Sequence, residues 1–284
     1  MARTPELSIV IPAYNEESRI QPTVRDIVEY CRRTGRSFEL IVVDDGSQDG
    51  TSTVAWNLAT EFPELRLIRL AANHGKGYAV RTGVVNAIGR SVLLTDADGA
   101  TPIGEIERLE TALNSGADVA VGSRALRADG VRVKAKIYRH LIGRTFHLLV
   151  EWLADGGVKD TQCGFKLFRS PVAQDLFSRM RMNGFSFDVE VLLMARRRGY
   201  QVAEVPVNWT HQAGSKVRLT SDSLRMAADL IRIRAHCLSG DYEAPHVARW
   251  GQSMASAKAM ESMDVPKPAL EKPGSVAQSL SSLL

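Results

Sequence analysis

Residues 91–101 read Ser-Val-Leu-Leu-Thr-Asp-Ala-Asp-Gly-Ala-Thr, a short apolar run followed by two aspartates and a glycine. The run over 91–94 predicts a buried β-strand. Side chains two positions apart on a strand point to the same face, and open α/β sheets bind ligands beyond the carboxyl ends of their strands. We therefore expect Asp96 and Asp98 to emerge together, where two carboxylates can hold a divalent cation while a diphosphate completes its oxygen shell. An isolated pair of aspartates with this spacing is more often part of a solvated turn. The rest of the sequence therefore has to decide between a turn and a cation site.

Strand and helix patterns alternate around this run. Before residue 124, we predict further strands over 7–11, 38–43, 65–70 and 119–122, and helices over 17–32, 52–61 and 77–88. The alternation predicts an α/β fold with a mainly parallel sheet flanked by helices. The later patterns are a long helical stretch over 131–153, a loop and strand over 160–168, a helix over 187–198, a strand over 200–207 and a helix over 221–237. We predict a single domain over residues 1–240 and a disordered tail over 241–284, where only scattered apolar residues remain.

Each of the four early strands is followed by a polar cluster. The clusters are PAYNE (12–16), DDGS (44–47), NHGKG (73–77) and TDADGAT (95–101). Parallel strands end at one edge of the sheet, so the clusters together predict a nucleotide-diphosphate site, with carboxylates for base and ribose and a Gly-Lys-Gly run near the phosphates. The alternative is four independent turns. No GxGxxG follows the first strand and no GxxxxGK[ST] occurs, so neither a Rossmann dinucleotide site nor a Walker ATP site is supported.

The composition is that of an ordinary soluble protein. The 284 residues carry a formal net charge of +4, and 6% are aromatic. Modest charge, few aromatics and no recognisable motif argue against a nucleic-acid partner. Cys31, Cys163 and Cys237 are far apart and form no CxxC, so we expect neither a disulfide framework nor a zinc site. The same pattern favours a reducing compartment, and we therefore expect a cytoplasmic location. No apolar run approaches the roughly 18 residues of a membrane span, so we expect any contact with the cytoplasmic membrane face to be peripheral.

The clusters with their flanks, SIVIPAYNEE, VVDDGSQDGT, NHGKGYAVRTG and TDADGAT, resemble the nucleotide-sugar half of the inverting family 2 glycosyltransferases of GT-A fold. The later segments DTQCGFKLF (160–168), GFSFDVEVL (184–192), AEVPVNW (203–209) and GSKVRL (214–219) resemble the polyprenyl-phosphate sugar synthases. Within these, the sequence most resembles the dolichyl-phosphate β-glucosyltransferases, and it also resembles the dolichyl-phosphate mannosyl synthases. The resemblance covers residues 6–236 and implies a nucleotide-sugar half over 6–123 and an acceptor half over 124–240.

The resemblance implies metal-dependent, inverting transfer of a hexose from a nucleotide sugar, with UDP-glucose expected, to a polyprenyl or dolichyl monophosphate. On the donor side it implies roles for Pro12, Tyr14, Glu16, Asp44, Asp45, Lys76 and Asp96. Asp44 and Asp45 would bind uracil and ribose, and Lys76 the nucleotide. Mg²⁺ or Mn²⁺ would be held by Asp98, assisted by Asp96. The acceptor phosphate would be bound by Arg124, Arg139, Lys216 and Arg218; for the last two the alternative is a flexible basic loop.

The resemblance also implies that a general base comes from the region of Asp188 and Glu190, with Asp188 the first candidate. On a helix these two side chains diverge by about 200°, so we do not expect them to act as a pair. The alternative for Asp188 is a carboxylate stabilised by the helix dipole. A phosphate monoester has a second pKa of about 6 and is largely deprotonated at neutral pH. Such an acceptor needs no strong base, whereas a hydroxyl acceptor does.

Residues 124–144 contain seven arginines and lysines against one acid, Asp129, and they lead into the apolar run FHLLVEWL (146–153). A basic helix with an apolar end can lie in a membrane interface, and each base adds about 1 kcal/mol near an anionic leaflet. The alternative is a helix packed on the sheet with a solvated basic face. For the function as a whole, the alternatives are a different donor such as GDP-mannose, a soluble acceptor, or nucleotide-sugar binding without turnover. The intact Asp96, Asp98 and Lys76 favour an enzyme, and the oligomeric state is not predicted.

Overall fold

The first half of the chain alternates strand and helix, as its apolar patterns predict. The computed structural model describes residues 4–128, 130–134, 158–212 and 221–242, without the side chains of 134 and 221–224. In the first half, strands and helices follow as β1 Leu7–Ala13, α1 Glu17–Arg33, β2 Phe38–Asp44, α2 Thr51–Glu61, β3 Leu65–Arg69, α3 Lys76–Val85 and β4 Ser91–Leu94. The predicted strands and helices of this half are confirmed to within three residues at each end.

The second half is less regular. A 3₁₀ turn over Ile103–Glu105 leads into α4 Ile106–Asn114, and the remaining elements are β5 Val119–Ser123, β6 Val133–Lys134, β7 Lys166–Arg169, α5 Ser170–Arg179, α6 Phe187–Arg197, β8 Val202–Pro206, β9 Trp209–Thr210 and α7 Ser221–Leu238. The sequence patterns missed α4 and α5. The signal for α4 was present, because Ile106, Leu109 and Leu113 recur at helical spacing and are buried.

One seven-stranded sheet forms the centre of the fold, in the order β3-β2-β1-β4-β7-β5-β8. The neighbours of β1 and β2 are parallel, and so is the pair of β5 and β8, whereas β7 runs antiparallel to both β4 and β5. The sheet is therefore mixed and mainly parallel, as predicted. Parallelism places the carboxyl ends of β1 to β4 at one edge.

Both faces of the sheet are buried. Along β1, Val10 belongs to one apolar cluster, and its neighbours Ile9 and Ile11 belong to the other. All three have no exposed side-chain surface. Because successive side chains alternate between faces, a strand covered on both sides must be continuously apolar. This explains why β1 and β2 are nearly continuous apolar runs.

The predicted helix over 131–153 is wrong at its start. Val133 and Lys134 form a strand that pairs in parallel with Trp209 and Thr210 of β9, and the Trp209 amide donates to the carbonyl of Arg132 at 3.1 Å. The preceding residues from 124 to 128 form a loop. The bases over 124–134 therefore do not share a helix. The rest of that predicted helix lies outside the described residues.

The compact unit extends slightly beyond the predicted domain end. It comprises Met1–Glu243, and the second unit, Ala244–Leu284, lies outside the described residues, as does nearly all of the predicted tail. Tyr242 is only 1% exposed and packs in the core. Among the helices that the structure describes, none has the length and apolarity needed to cross a bilayer.

Candidate active site

Hydrogen bonds join the loops that follow the first three strands. The Asn15 amide donates to the Ser47 hydroxyl at 2.9 Å, and the Gln48 amide donates to Asn15 Oδ1 at 2.9 Å. Asp45 accepts the amides of His74 and Gly75 at 2.8 Å each. Three of the four clusters predicted from the sequence to meet at one edge are therefore joined there by direct hydrogen bonds.

Asp44 and Asp45 are buried and organise these loops. Asp44 accepts the Ser47 amide at 2.9 Å and the Ser52 hydroxyl. Burial raises the pKa of Asp45, although its two amide donors oppose that shift. Pro12, Tyr14 and Glu16 lie at the same edge and are partly exposed. Binding of uracil and ribose by the two aspartates stays a prediction.

Helix α3 begins at the predicted donor lysine. Lys76 donates from Nζ to Asp96 Oδ1 at 2.7 Å, and the two side chains are 24% and 36% exposed. Burial alone would lower the pKa of Lys76, but the negative charges of Asp96 and Asp188 outweigh burial and raise it. The lysine is therefore a fixed positive charge at the edge of the sheet.

Asp98 follows in the turn after β4 and accepts the Ala100 amide at 3.0 Å. Burial raises the pKa of Asp98, and the adjacent charge of Asp96 raises it further. A divalent cation would relieve this repulsion. Among the described residues no group of three or more histidines, cysteines, aspartates or glutamates could hold a metal ion. The two aspartates therefore fit a hard cation, Mg²⁺ or Mn²⁺, only if a ligand such as a diphosphate supplies further oxygens.

A small cavity adjoins the Lys76–Asp96 pair. It has room for about one water molecule and is lined by Pro12, Lys76, Val80, Leu94, Thr95, Asp96, Gly164, Phe187 and Asp188. Gly164 packs so closely against the Asp96 carboxylate that a side chain at 164 would collide with it. The loop before β7 therefore forms one wall of the site.

Asp188, the first candidate for a general base, is paired with a lysine. Lys166 donates from Nζ to Asp188 Oδ1 and to the Cys163 carbonyl, each at 2.5 Å. Lys166 and Asp188 are 1% and 5% exposed. Burial raises the pKa of Asp188, although Lys166 and Lys76 oppose the shift. The geometry gives Asp188 a partner within the protein, and its role as a base stays a prediction.

Glu190 points away from Asp188, as expected for two residues of one helix. Its carboxylate accepts the backbone amides of Arg181 and Met182 and the Tyr242 hydroxyl. The two acids of this segment do not form a pair.

Arg124 lies in the loop after β5, near the donor edge. It binds Asp160 through Nε and Nη2, both at 2.7 Å, and its guanidinium lies 5.4 Å from the Trp209 ring centroid. The side chain is 33% exposed. A phosphate can therefore reach part of the guanidinium, and Asp160 fixes its orientation. The other predicted phosphate ligands, Arg139, Lys216 and Arg218, lie outside the described residues.

Three residues of this region were given no role by the sequence patterns: Asp160, Lys166 and Trp209. Asp160 and Lys166 both lie in the segment DTQCGFKLF, which supported the resemblance as a whole. A lysine within an apolar strand was a readable signal, because a buried ammonium requires a paired carboxylate. Cys163 of this segment is buried, which raises the pKa of its thiol to about 11; it is not a reactive nucleophile.

The model of glycosyl transferase family 2 matches residues 8–177. The chain belongs to this family. Similar proteins include a dolichyl-phosphate β-glucosyltransferase of Trichomonas vaginalis, 39% identical over 82% of this chain and 72% of that protein. Those of Homo sapiens and Saccharomyces cerevisiae are 38% and 37% identical over 84% and 83% of this chain and 77% and 76% of theirs. The chain is therefore a glycosyltransferase.

Solved structures show the same fold. A glucosyl-3-phosphoglycerate synthase of Mycobacterium tuberculosis, in complex with Mn²⁺, uridine-diphosphate and glucosyl-3-phosphoglycerate, superposes with a TM-score of 0.62 at 21% identity, over 81% of this chain and 80% of that one. A mannosyl-3-phosphoglycerate synthase from Rubrobacter xylanophilus gives 0.58 at 19% identity, over 87% and 78%. The family and these neighbours confirm the GT-A fold.

Proposed function

We propose that this glycosyltransferase transfers glucose from UDP-glucose to dolichyl phosphate or a similar polyprenyl phosphate, with inversion at the sugar. The names of its curated relatives support the sugar and the acceptor. The observation that carries the proposal is the Lys76–Asp96 ion pair, with Asp98 beside it, at the edge where the four strand-end loops meet. A cationic side chain and two carboxylates are what a nucleoside diphosphate and its counter-ion require.

On the donor side, negative charge develops on the departing UDP as its bond to the sugar breaks. Lys76 lies where its ammonium can stabilise that charge, and a preorganised charge acts without rearrangement. Asp98, with Asp96, would hold Mg²⁺ or Mn²⁺, which neutralises diphosphate charge when bound. Asp96 would connect the two groups, because one of its oxygens accepts from Lys76.

On the acceptor side, a phosphate oxygen forms a bond to the anomeric carbon while the bond from that carbon to the UDP oxygen breaks. The electron pair of the broken bond leaves with UDP. The attacking monoester is largely deprotonated at neutral pH, so no proton has to be removed. Arg124, held by Asp160, would orient the phosphate, together with Arg139, Lys216 and Arg218. In this scheme Asp188 is not required as a base.

The proposed location is the cytoplasmic membrane face, with the protein bound peripherally. Helix α7 supports this, because its outward face carries two exposed large apolar side chains, Ile231 at 73% and Leu238 at 75% exposure. Arg225 and Arg232 are exposed on the same helix. A helix with an exposed apolar stripe beside arginines suits an anionic bilayer surface.

The function is tested by transfer from a panel of radiolabelled UDP- and GDP-sugars to dolichyl phosphate, with Mg²⁺, with Mn²⁺ and with EDTA. 3-Phosphoglycerate serves as a soluble phosphate acceptor in parallel. We expect UDP-glucose to be consumed with dolichyl phosphate, and EDTA to abolish the reaction. Preferred use of a GDP-sugar would contradict the donor, preferred use of phosphoglycerate would contradict the acceptor, and full activity in EDTA would contradict the metal.

A further inference from the structure

The side chain of Glu190 binds the loop over residues 181–183, which precedes α6. Its carboxylate is fully buried and accepts the amides of Arg181 at 3.0 Å and Met182 at 2.8 Å. A third donor is the hydroxyl of Tyr242 at 2.7 Å. Hydrogen bonds to a charged acceptor are roughly twice as strong as neutral ones. The carboxylate therefore fixes residues 181–183 to α6 and to the segment that follows α7.

The loop fixed in this way packs directly on the start of α3. The Tyr78 amide donates to the Asn183 carbonyl at 3.2 Å. A Cβ added to Gly75, whose φ is +101°, would lie 2.5 Å from that same oxygen, and Gly77 approaches the preceding carbonyl too closely to carry a side chain. Lys76 stands between these glycines. The backbone position of the donor lysine is therefore set by residues 182–183.

We propose that Tyr242 and Glu190 are positioning residues for the donor site, acting on Lys76 through the loop 181–183. Each link is a contact described above: the phenol donates to the carboxylate, the carboxylate accepts from the loop, and the loop packs on α3. The inference rests on the proposed function only where it takes UDP as the ligand of Lys76. Loss of the hydrogen bond from Tyr242 to Glu190 lets the start of α3 move relative to Asp96.

The test compares Tyr242→Phe with Tyr200→Phe. Tyr200 is a matched control, because its hydroxyl also donates to a carboxylate, Asp175 at 2.8 Å, which lies on α5. Hydrogen–deuterium exchange of the Tyr78 amide is followed in the full chain without ligand. We expect about fivefold faster exchange in Tyr242→Phe, the effect of losing one hydrogen bond, and no change in Tyr200→Phe. Equal exchange in the two variants overturns the proposal.

A ligand-bound arm separates positioning from simple loss of stability. The dissociation constant of UDP with Mn²⁺ and the KM for UDP-glucose should rise about threefold to tenfold in Tyr242→Phe. Both should rise further in Glu190→Gln, because the glutamine side chain would place an N–H donor among the groups that donate to Glu190. The kcat per folded molecule should fall as well, because Lys76 also stabilises the charge that develops on the departing UDP, whereas simple loss of stability would leave the kcat per folded molecule unchanged. Unchanged UDP affinity in both variants overturns the proposal. If the unmodified protein binds no UDP, the donor assignment fails instead, and the exchange comparison still decides the positioning role.

Discussion

At the scale of single residues, Asp98 should separate activity from folding. Asp98→Asn removes the charge that would hold the cation while keeping the shape of the side chain. We expect transfer to fall at least about a hundredfold, the usual cost of losing one charge-stabilising group, with unchanged circular dichroism. Asp26→Asn, at an exposed position on α1, is the control and should stay active. Retained metal-dependent activity in Asp98→Asn would mean that the cation lies elsewhere.

The buried pair of Lys166 and Asp188 makes a different prediction, on stability. Asp188→Asn leaves the Lys166 ammonium buried without its charged partner, which should cost about 3–5 kcal/mol in the free energy of unfolding. Replacing both, as Lys166→Met with Asp188→Leu, should recover most of that loss, because no unpaired charge remains. Urea unfolding measures both effects.

A double variant that is as unstable as the sum of its single changes would contradict this account of the pair. The same protein also addresses catalysis. If the folded double variant still glycosylates dolichyl phosphate, Asp188 is not an obligatory base.

At the scale of elements, Asp160 joins β5 to β8. It binds Arg124 at the end of β5, and its own amide donates to Glu204 of β8 at 2.9 Å. Burial would raise the pKa of Asp160, but Arg124 outweighs burial and holds it below its ordinary value.

Because this pKa is lower in the folded protein, the stability contributed by Asp160 is present at neutral pH. It is lost as the pH falls below about 4, the value of an unfolded aspartate. Asp160→Asn should therefore lower the Tm at pH 7 and reduce the further loss of Tm towards pH 3. Glu29→Gln is the control, because Glu29 lies 4.0 Å from Arg33 in an exposed pair, which contributes little. An acid dependence of Tm identical to that of the unmodified protein would contradict the prediction.

The sequence predicted the elements whose signals are local. Strands β1, β2 and β4 are mainly apolar runs, and β3 is a short run, LRLIR, in which three apolar residues are interspersed with arginines. Polar clusters follow all four strands, so their positions and their common edge could be predicted, and with them the meeting of Lys76 and Asp96. The orientation of β7 could not, because no local pattern encodes the strand beside which another will lie. The pairing of Lys166 with Asp188 depends on that placement, and therefore Asp188 was interpreted as a base without its partner.

At the scale of the whole molecule, α7 should decide membrane binding. Ile231→Glu with Leu238→Glu should weaken binding to anionic vesicles by about tenfold per residue, because burying either apolar side chain is worth about 1.5 kcal/mol or more. Co-sedimentation with vesicles of defined anionic content measures the change. Trp56→Glu on α2 is the control, since Trp56 is 68% exposed. Equal losses in the control and the double variant would show that α7 is not the contacting surface.

The reversed strand β7 also dictates an order of events during synthesis. Among the strands that the structure describes, β5 and β8 reach the rest of the sheet only through β7. A nascent chain can therefore assemble β1 to β4 early, but β5 has no place in the sheet until residue 169 has left the ribosome. Until then β4 presents an open, apolar edge, which is where a partly made sheet can pair with another chain. The strand that brings Lys166 beneath the donor site is also the one that closes the vulnerable edge of the nascent protein.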